Sequence, residues 1–156
     1  TGDNIGRYST ASINGSNVEI TGDWTGTNLI LGYQFEWEVE IPTIYPTQSD
    51  GEKTRADIRS SLIIHRLKFT FGSVGMIETT LKRKGRKDYT TTYESLMWDN
   101  YDASRLGIAD EYTHTIPAYE RNTNLTVHVK STHPSPATLH ALNWEGDYSN
   151  RFYRRV

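Results

Sequence analysis

The clearest pattern in the chain is a strict alternation of apolar and polar residues from position 29 to position 41. Successive side chains of a β-strand point to opposite faces, so the alternation predicts one long strand with an apolar face and an acidic, solvated face. We expect Pro42 and Pro46 to end it, because neither can donate a backbone hydrogen bond to a sheet. The apolar positions are Leu29, Leu31, Tyr33, Phe35, Trp37, Val39 and Ile41, with Gln34, Glu36, Glu38 and Glu40 between them.

Further strands are predicted along the rest of the chain. Residues 60–71 alternate in the same way, and a tight turn over residues 72–75 predicts that residues 76–83 return as their hairpin partner. Residues 89–93, 124–131 and 138–144 are the other predicted strands. Within residues 60–71 we expect one face to hold Ile63, His65, Leu67, Phe69 and Phe71, and the other face to hold Arg66, Lys68 and Thr70.

The strand patterns predict an all-β fold, an antiparallel β-sandwich or barrel with long loops. Gly and Pro residues separate the strands, and no amphipathic helix pattern is visible. Residues 99–110 could hold a helical turn or a loop. Residues 47–58 are expected to form a loop that contains an Asp50-Gly51 turn signal.

The chain divides into a loop-rich connection over residues 1–28 and a β domain over residues 29–156. The first part is rich in Gly, Asn, Ser and Thr and has one short alternation at Val18 and Ile20. We expect loops around one or two short strands there, in a segment that crosses from a preceding region. The first residue is Thr1 rather than Met, which favours a processed product or a piece of a longer protein.

Composition excludes several kinds of chemistry. The chain has no cysteine, so disulfides, zinc-thiolate sites and cysteine nucleophiles are excluded. Only 35% of its 156 residues are hydrophobic, and no apolar run approaches the roughly 18 residues that a membrane span needs. Ten Tyr and an abundance of Thr agree with a β-rich chain.

Charge is unevenly distributed although the total is only −2. Residues 1–50 carry one base and seven acids, a net −6, whereas residues 51–90 carry ten bases and four acids, a net +6. A basic turn with Gly85 at its centre contributes much of the positive charge. It could contact DNA phosphates, but a solvated turn or a contact with an acidic neighbouring subunit is favoured. Its basic residues are Lys82, Arg83, Lys84, Arg86 and Lys87.

The candidate catalytic and metal-binding residues form no recognised motif. The histidines lack the spacing of a zinc enzyme, although His128 and His140 could approach each other across paired strands. The acids of the 99–111 loop do not match a calcium loop, and solvated loop acids are favoured over a glycosidase pair. We therefore predict no catalytic residues, no metal and no cofactor. The residues considered are His65, His114, His128, His133 and His140, and Asp99, Asp102, Asp110 and Glu111.

The four Trp and ten Tyr residues leave open a sugar-binding function, because flat rings can stack on sugars. Trp37 lies on the apolar face of its predicted strand and is expected to pack in the core. Trp24, Trp98 and Trp144 remain ambiguous.

The C-terminal segment leads from a strand into an aromatic and Arg-rich tail. Arginine pairs with carboxylates in a planar, bidentate geometry, which favours a docked terminus, here called the structural clasp. Its residues are Trp144, Glu145, Tyr148, Arg151, Arg154 and Arg155.

These tail residues, with Ser131-Thr132-x-Pro134-x-Pro136-Ala137-Thr138-Leu139 before them, resemble the C-terminus of the tail tubular protein B, or nozzle protein, family of short-tailed phages related to T7. The resemblance covers about residues 29–156. Two upstream strands are also similar to the family, Leu29-Ile30-Leu31-Gly32-Tyr33-Gln34-Phe35 and Ile64-His65-Arg66-Leu67-Lys68-Phe69.

The resemblance implies a non-enzymatic virion protein of the phage tail. Such a subunit forms a hexameric ring, attaches to the tail adaptor protein and the tail fibre, and conducts DNA through its lumen without reading sequence. The opposite charges of residues 1–50 and 51–90 fit head-to-tail ring closure. Two alternatives are a carbohydrate-binding or polysaccharide-degrading tail module and a free-standing β-sandwich adhesion module.

Overall fold

The structure is a computed structural model that describes residues 7–51, 53–95 and 107–149. Almost all regular structure in these ranges is β-strand. The elements in chain order are β1 (Ala11–Asn14), β2 (Asn17–Ile20), β3 (Trp37–Ile41), β4 (Thr47–Asp50), β5 (Lys53–Ala56), β6 (Ser61–Val74), β7 (Met76–Arg83), β8 (Tyr89–Glu94), β9 (Tyr112–Arg121), a short 3-10 helix (Asn122–Asn124), β10 (Leu125–Ser131) and β11 (Ala137–Ser149).

Two antiparallel sheets share one core and form a sandwich. The first sheet has the order β3-β10-β7-β8, and the second has the order β11-β6-β9. Hairpins β1–β2 and β4–β5 form two separate two-stranded sheets. The all-β prediction is therefore confirmed. The core residues are Leu62, Ile64, Leu67, Phe69, Phe71, Val74, Ile77, Leu81, Ile116, Ala118, Leu125, Val127 and Val129.

The long strand predicted over residues 29–41 is wrong in length. Only β3 forms a strand there, and its partner β10 ends at Ser131, opposite Trp37. Within the described chain, residues 29–36 pair with no strand, so their apolar residues do not reach the core. The alternation predicts the strand correctly only over residues 37–41, where Trp37 and Ile41 pack against the core.

The predicted hairpin between β6 and β7 is also wrong, because the two strands lie in different sheets. β6 continues through Gly72 to Val74, and the chain crosses to the other sheet at Gly75. The Gly75 amide donates to the Pro136 carbonyl at 3.0 Å, and the Gly75 carbonyl accepts from the Ser95 amide at 2.8 Å. A corner of this kind is one way in which a strand changes sheets in a sandwich.

The two faces predicted for β6 are correct in its second half and wrong in its first. Leu67, Phe69 and Phe71 are buried as expected, but Ile63 is 40% exposed while Leu62 and Ile64 are buried. The pairing of β6 with β11 shifts register between Glu145 and Gly146, where the step from Ile64 to Arg66 in β6 matches a single step in β11. This bulge adds one residue and so reverses which side chains face inward.

The turn between β7 and β8 and the strands β8 and β10 agree with the sequence prediction, and β11 is longer than predicted. Strand β9 was missed because Pro117 lies inside it; β9 is an edge strand, where proline is tolerated. The expected 47–58 loop instead contains hairpin β4–β5 around Gly51. No helix in the described chain is long and apolar enough to cross a membrane.

Candidate assembly surfaces

The basic turn is a tight connection between β7 and β8. Gly85 has a φ of 76°, which favours glycine, and the Arg86 amide donates to the Arg83 carbonyl at 3.1 Å. The Lys84 amide donates to the Asn124 carbonyl at 3.0 Å, which ties the turn to the 3-10 helix. The turn is therefore fixed by backbone contacts, independently of its basic side chains.

The two arginines of the turn face the body of the domain. Arg83 is half-buried, and its Nη1 donates to the Ala118 carbonyl at 3.4 Å. Arg86 Nε lies 3.9 Å from Glu120 Oε2. The Arg121 amide and the Asn124 side chain, with Arg86 and Arg83 nearby, lower the pKa of Glu120 below its usual range. The arginines thus have partners within the fold.

The three lysines of the turn differ from the arginines. Lys82, Lys84 and Lys87 are exposed, and none is in an ion pair within the part of the chain that the structure describes. Their ammonium groups are therefore free to meet an anionic partner. The turn separates into two structural arginines and three outward-facing lysines.

The acidic face of β3 is partly engaged by its neighbour β10. His128 Nδ1 lies 2.7 Å from Glu38 Oε1, and His128 Nε2 lies 3.6 Å from Glu40 Oε2. Lys130 forms an ion pair with Glu78 at 3.0 Å. Glu36 is exposed and precedes β3. The contact predicted between this face and the basic turn is one between subunits and stays a prediction.

The middle of β11 is held to β6 by charges on the outer face of their sheet. Glu145 forms a hydrogen-bonded ion pair with Lys68 and lies 3.8 Å from Arg66 Nη1. Lys68, followed by Arg66 and His65, lowers the pKa of Glu145. Trp144 is 37% exposed on the same strand.

The end of β11 is tied to hairpin β4–β5 and the bend after it. Tyr148 Oη donates to Asp57 Oδ2 at 3.0 Å and accepts from Gln48 Nε2 at 3.1 Å. Gln48 Nε2 also donates to Asp57 Oδ2 at 2.9 Å. Desolvation opposes the shift, but the Tyr148 hydroxyl and the Arg59 and Ser60 amides lower the pKa of Asp57. Arg151, Arg154 and Arg155 of the structural clasp lie outside the described residues.

The other candidate residues are dispersed. His128 and His140 lie in different sheets, so the suggested approach between them is wrong. A Cβ on Gly72 would meet the His140 ring at 2.4 Å, so this imidazole packs over the Gly72 backbone. Among the described residues, no group of His, Asp and Glu side chains is arranged to hold a metal ion. Asp110 and Glu111 are exposed, whereas Asp99 and Asp102 lie outside the described residues.

Comparison with known families decides the identity of this all-β chain. The sequence model of the bacteriophage nozzle protein family matches residues 3–155. The chain belongs to this nozzle family. Comparison with curated proteins finds no match. As a nozzle family member, the chain is a structural protein of the phage tail nozzle and lies in the tail of the virion.

The nozzle match extends further towards the N-terminus than the sequence resemblance did. It includes most of residues 1–28, where no family motif was found, and so includes hairpin β1–β2. The aromatic contact between Tyr8 and His133, with ring centroids 4.2 Å apart, joins this part to the link before β11.

The nozzle protein has one surface that sequence analysis missed. Residues 29–36, here called the extended segment, expose most of their apolar side chains: Leu29, Ile30, Leu31, Tyr33 and Phe35 are 47%, 100%, 61%, 95% and 75% exposed. Within the described chain its one hydrogen bond to another segment is from Gln34 Nε2 to the Thr132 carbonyl at 3.2 Å. The alternation was visible in the sequence, but it was assigned to the core of the same chain.

Proposed function

We propose that this chain assembles as a homo-hexameric ring whose central channel conducts the phage genome. The family match over residues 3–155 is the observation that carries the proposal, because a tail nozzle must form a passage for DNA. The exposed extended segment and the free lysines of the basic turn supply surfaces for contacts between subunits. Residues 29–156 would form the body of each subunit, with residues 1–28 as a connection.

The ring would attach to the tail adaptor protein at one end and support the tail fibre. DNA passes through the lumen without sequence-specific contacts, since such contacts would impede a long and varied sequence. We place Lys82, Lys84 and Lys87 at a subunit contact and Arg83 and Arg86 in the support of the turn. The described part of the structural clasp, Trp144, Glu145 and Tyr148, would hold β11 in place for the assembly.

Measurement of mass and shape tests the ring. Light scattering after size exclusion should give six times the mass of the chain, 17.8 kDa each, and electron microscopy should show a ring with a central opening. Co-sedimentation with the adaptor protein tests attachment. A chain that remains monomeric at high concentration, with and without adaptor, would contradict the proposal.

The chain has no enzymatic activity in this proposal. An assay of polysaccharide degradation checks the alternative of a glycan-degrading module. The wild-type chain should leave polysaccharide intact. Degradation that is lost on replacement of Asp110 or Glu111 with Asn or Gln would favour the alternative.

A further inference from the structure

The extended segment has no strand beside it in the part of its own chain that the structure describes, although its sequence alternates like that of a strand. It directly precedes β3, the edge strand of the first sheet, and runs past the end of β10. A Cβ added to Gly32 would meet no atom within 4 Å, so the space in its side-chain direction is open. A run of large exposed apolar side chains with the sequence period of a β-strand is typical of a segment that adds to the sheet of another molecule.

A suitable receiving edge lies on the opposite side of the same sheet. In the described residues β8 pairs with β7 alone, so its second edge has no strand beside it. The strand sequence Tyr-Thr-Thr-Thr-Tyr favours β-structure and contains neither proline nor lysine, the residues that usually protect an edge. Tyr89, Thr91 and Tyr93 alternate towards the core side, opposite Leu81, Thr79 and Ile77.

Strand direction permits this contact between identical copies. Each neighbouring pair in the order β3-β10-β7-β8 is antiparallel, so β3 and β8 run in opposite directions. A second copy placed beside β8 in the same orientation therefore presents its extended segment antiparallel to β8. Such a contact uses different surfaces on the two copies, and a contact of that kind closes rings when the rotation allows it.

The positions of charged residues also favour the antiparallel direction for this contact. The acids Glu36, Glu38 and Glu40 lie at the C-terminal end of the alternation, and the free lysines lie just before the N-terminal end of β8. In an antiparallel pair these two ends lie side by side, so the acids meet the basic turn and its one acid, Asp88, whereas a parallel pair would place them beside Glu94. The apolar residues of the segment then lie beside Tyr89, Thr91 and Tyr93.

We propose that residues 29–36 of one copy add as an antiparallel strand to the β8 edge of the next copy, with Glu36 near Lys87. The apolar side chains of the segment extend the core past Tyr93, whose ring already stacks on Tyr112 at a centroid distance of 3.6 Å. This inference rests on the proposed ring and identifies the contact that closes it.

Removal of the apolar anchors tests the contact. Tyr33→Ser with Phe35→Ser should leave the monomer folded, because both side chains are exposed, and should weaken association roughly hundredfold. A matched control is Ile13→Ser with Ile58→Ser, two side chains that are 75% and 72% exposed elsewhere. The control should assemble like the wild type. Rings of unchanged stability in the first variant would overturn the contact but leave the ring itself intact.

Disulfide crosslinking tests the direction, since the natural chain has no cysteine. A Gly32→Cys chain mixed with a Thr92→Cys chain should give a covalent dimer. In the proposed antiparallel pair the two positions lie opposite each other, and both face away from the core. A Glu36→Cys chain mixed with Thr92→Cys should not, since Glu36 then lies about four residues, or roughly 13 Å, away.

Two crosslinking results would overturn the proposal. Preferential crosslinking of the Glu36 and Thr92 positions would indicate a parallel pair. Efficient dimers of Thr92→Cys alone would indicate that two β8 edges pair symmetrically. A wild-type chain that never assembles would overturn both this contact and the proposed ring, whereas a ring with neither crosslink would overturn the contact only.

Discussion

Gly146 lies against the backbone of Ile63, so close that a Cβ on Gly146 would be 2.1 Å from the Ile63 carbonyl oxygen. The approach occurs at the register shift between Glu145 and Gly146 in the β11–β6 pair. Because the obstructing atom is backbone, a side chain at Gly146 cannot be accommodated by a rotamer change. Gly146, which follows Trp144 and Glu145 of the structural clasp, thus has a steric role in joining β11 to the sandwich.

Gly146→Ala should therefore destabilise the chain by about 1–3 kcal/mol, as expected for a substitution that forces the backbone to move. Urea unfolding followed by circular dichroism measures the change. Gly32→Ala is the matched control, because a Cβ there meets nothing within 4 Å, and it should stay within about 0.5 kcal/mol of the wild type. Equal stability of the two variants would contradict the steric role.

Tyr148→Phe should remove the hydroxyl that links β11 to Asp57 and Gln48. The expected loss is about 0.5–1.5 kcal/mol, the usual value for one intramolecular hydrogen bond. The pKa of Asp57 should rise towards its ordinary value of 3.8, because a hydrogen bond that lowers it is lost. An NMR titration of the Asp57 carboxyl checks the shift. Tyr33→Phe, at a tyrosine that is 95% exposed, should change neither quantity.

Two histidines should make the chain less stable in mild acid. Burial lowers the pKa of His114 and of His133 below the ordinary 6.5, and for His133 the charge of Glu94 partly opposes this. The folded chain therefore binds fewer protons than the unfolded chain as pH falls through about 6.5, and the free energy of unfolding decreases in that direction. Above that pH both imidazoles are neutral in the folded and the unfolded chain, and this loss of stability is absent.

Urea midpoints at pH 7.5 and pH 5.0 check this dependence. His114→Gln with His133→Gln should reduce the difference between the two midpoints, because glutamine does not titrate. An unchanged difference in the double variant would show that other groups cause the acid sensitivity.

Arg83 and Lys84 should respond differently to the same substitution. Arg83→Met removes a half-buried guanidinium that donates to the Ala118 carbonyl, and should cost about 1 kcal/mol. Lys84→Met removes an exposed ammonium whose backbone, rather than side chain, anchors the turn, and should change stability by less than about 0.5 kcal/mol. Thermal unfolding of both variants measures the contrast. Equal losses of stability in the two variants would argue against the division of the basic turn into structural arginines and outward-facing lysines.

Local patterns predicted many of the strands, because burial of alternate side chains leaves a clear period in the sequence. Trp37, Val39 and Ile41 follow this rule within one chain. The same rule failed over residues 29–36, since periodicity indicates an apolar face but not which molecule covers it. The order of strands was equally hidden: the crossing at Gly75 depends on contacts with Pro136 and Ser95, which no local pattern shows.

For the site residues, too, the sequence pattern does not reveal which distant residues they contact. Glu145 and Tyr148 were selected from the C-terminal motif, but their partners Lys68 and Asp57 lie 77 and 91 positions away in the chain. The contact between the acids of the β3 face and the basic turn is predicted between subunits, and within one chain Glu38 and Glu40 have His128 as their neighbour. Pairings across such distances follow from sheet register, which a single sequence does not reveal.

The pairing of β11 with β6 extends from Ala137 to Ser149 and joins the C-terminal strand to the longest strand of the domain. Its hydrogen bonds run across the strands, so tension along β11 loads many of them in shear at once rather than breaking them one after another. Through Gly75 that load passes into β7 and the opposite sheet. A pull on the C-terminal strand is thus resisted along the axis of the two longest strands among the described residues.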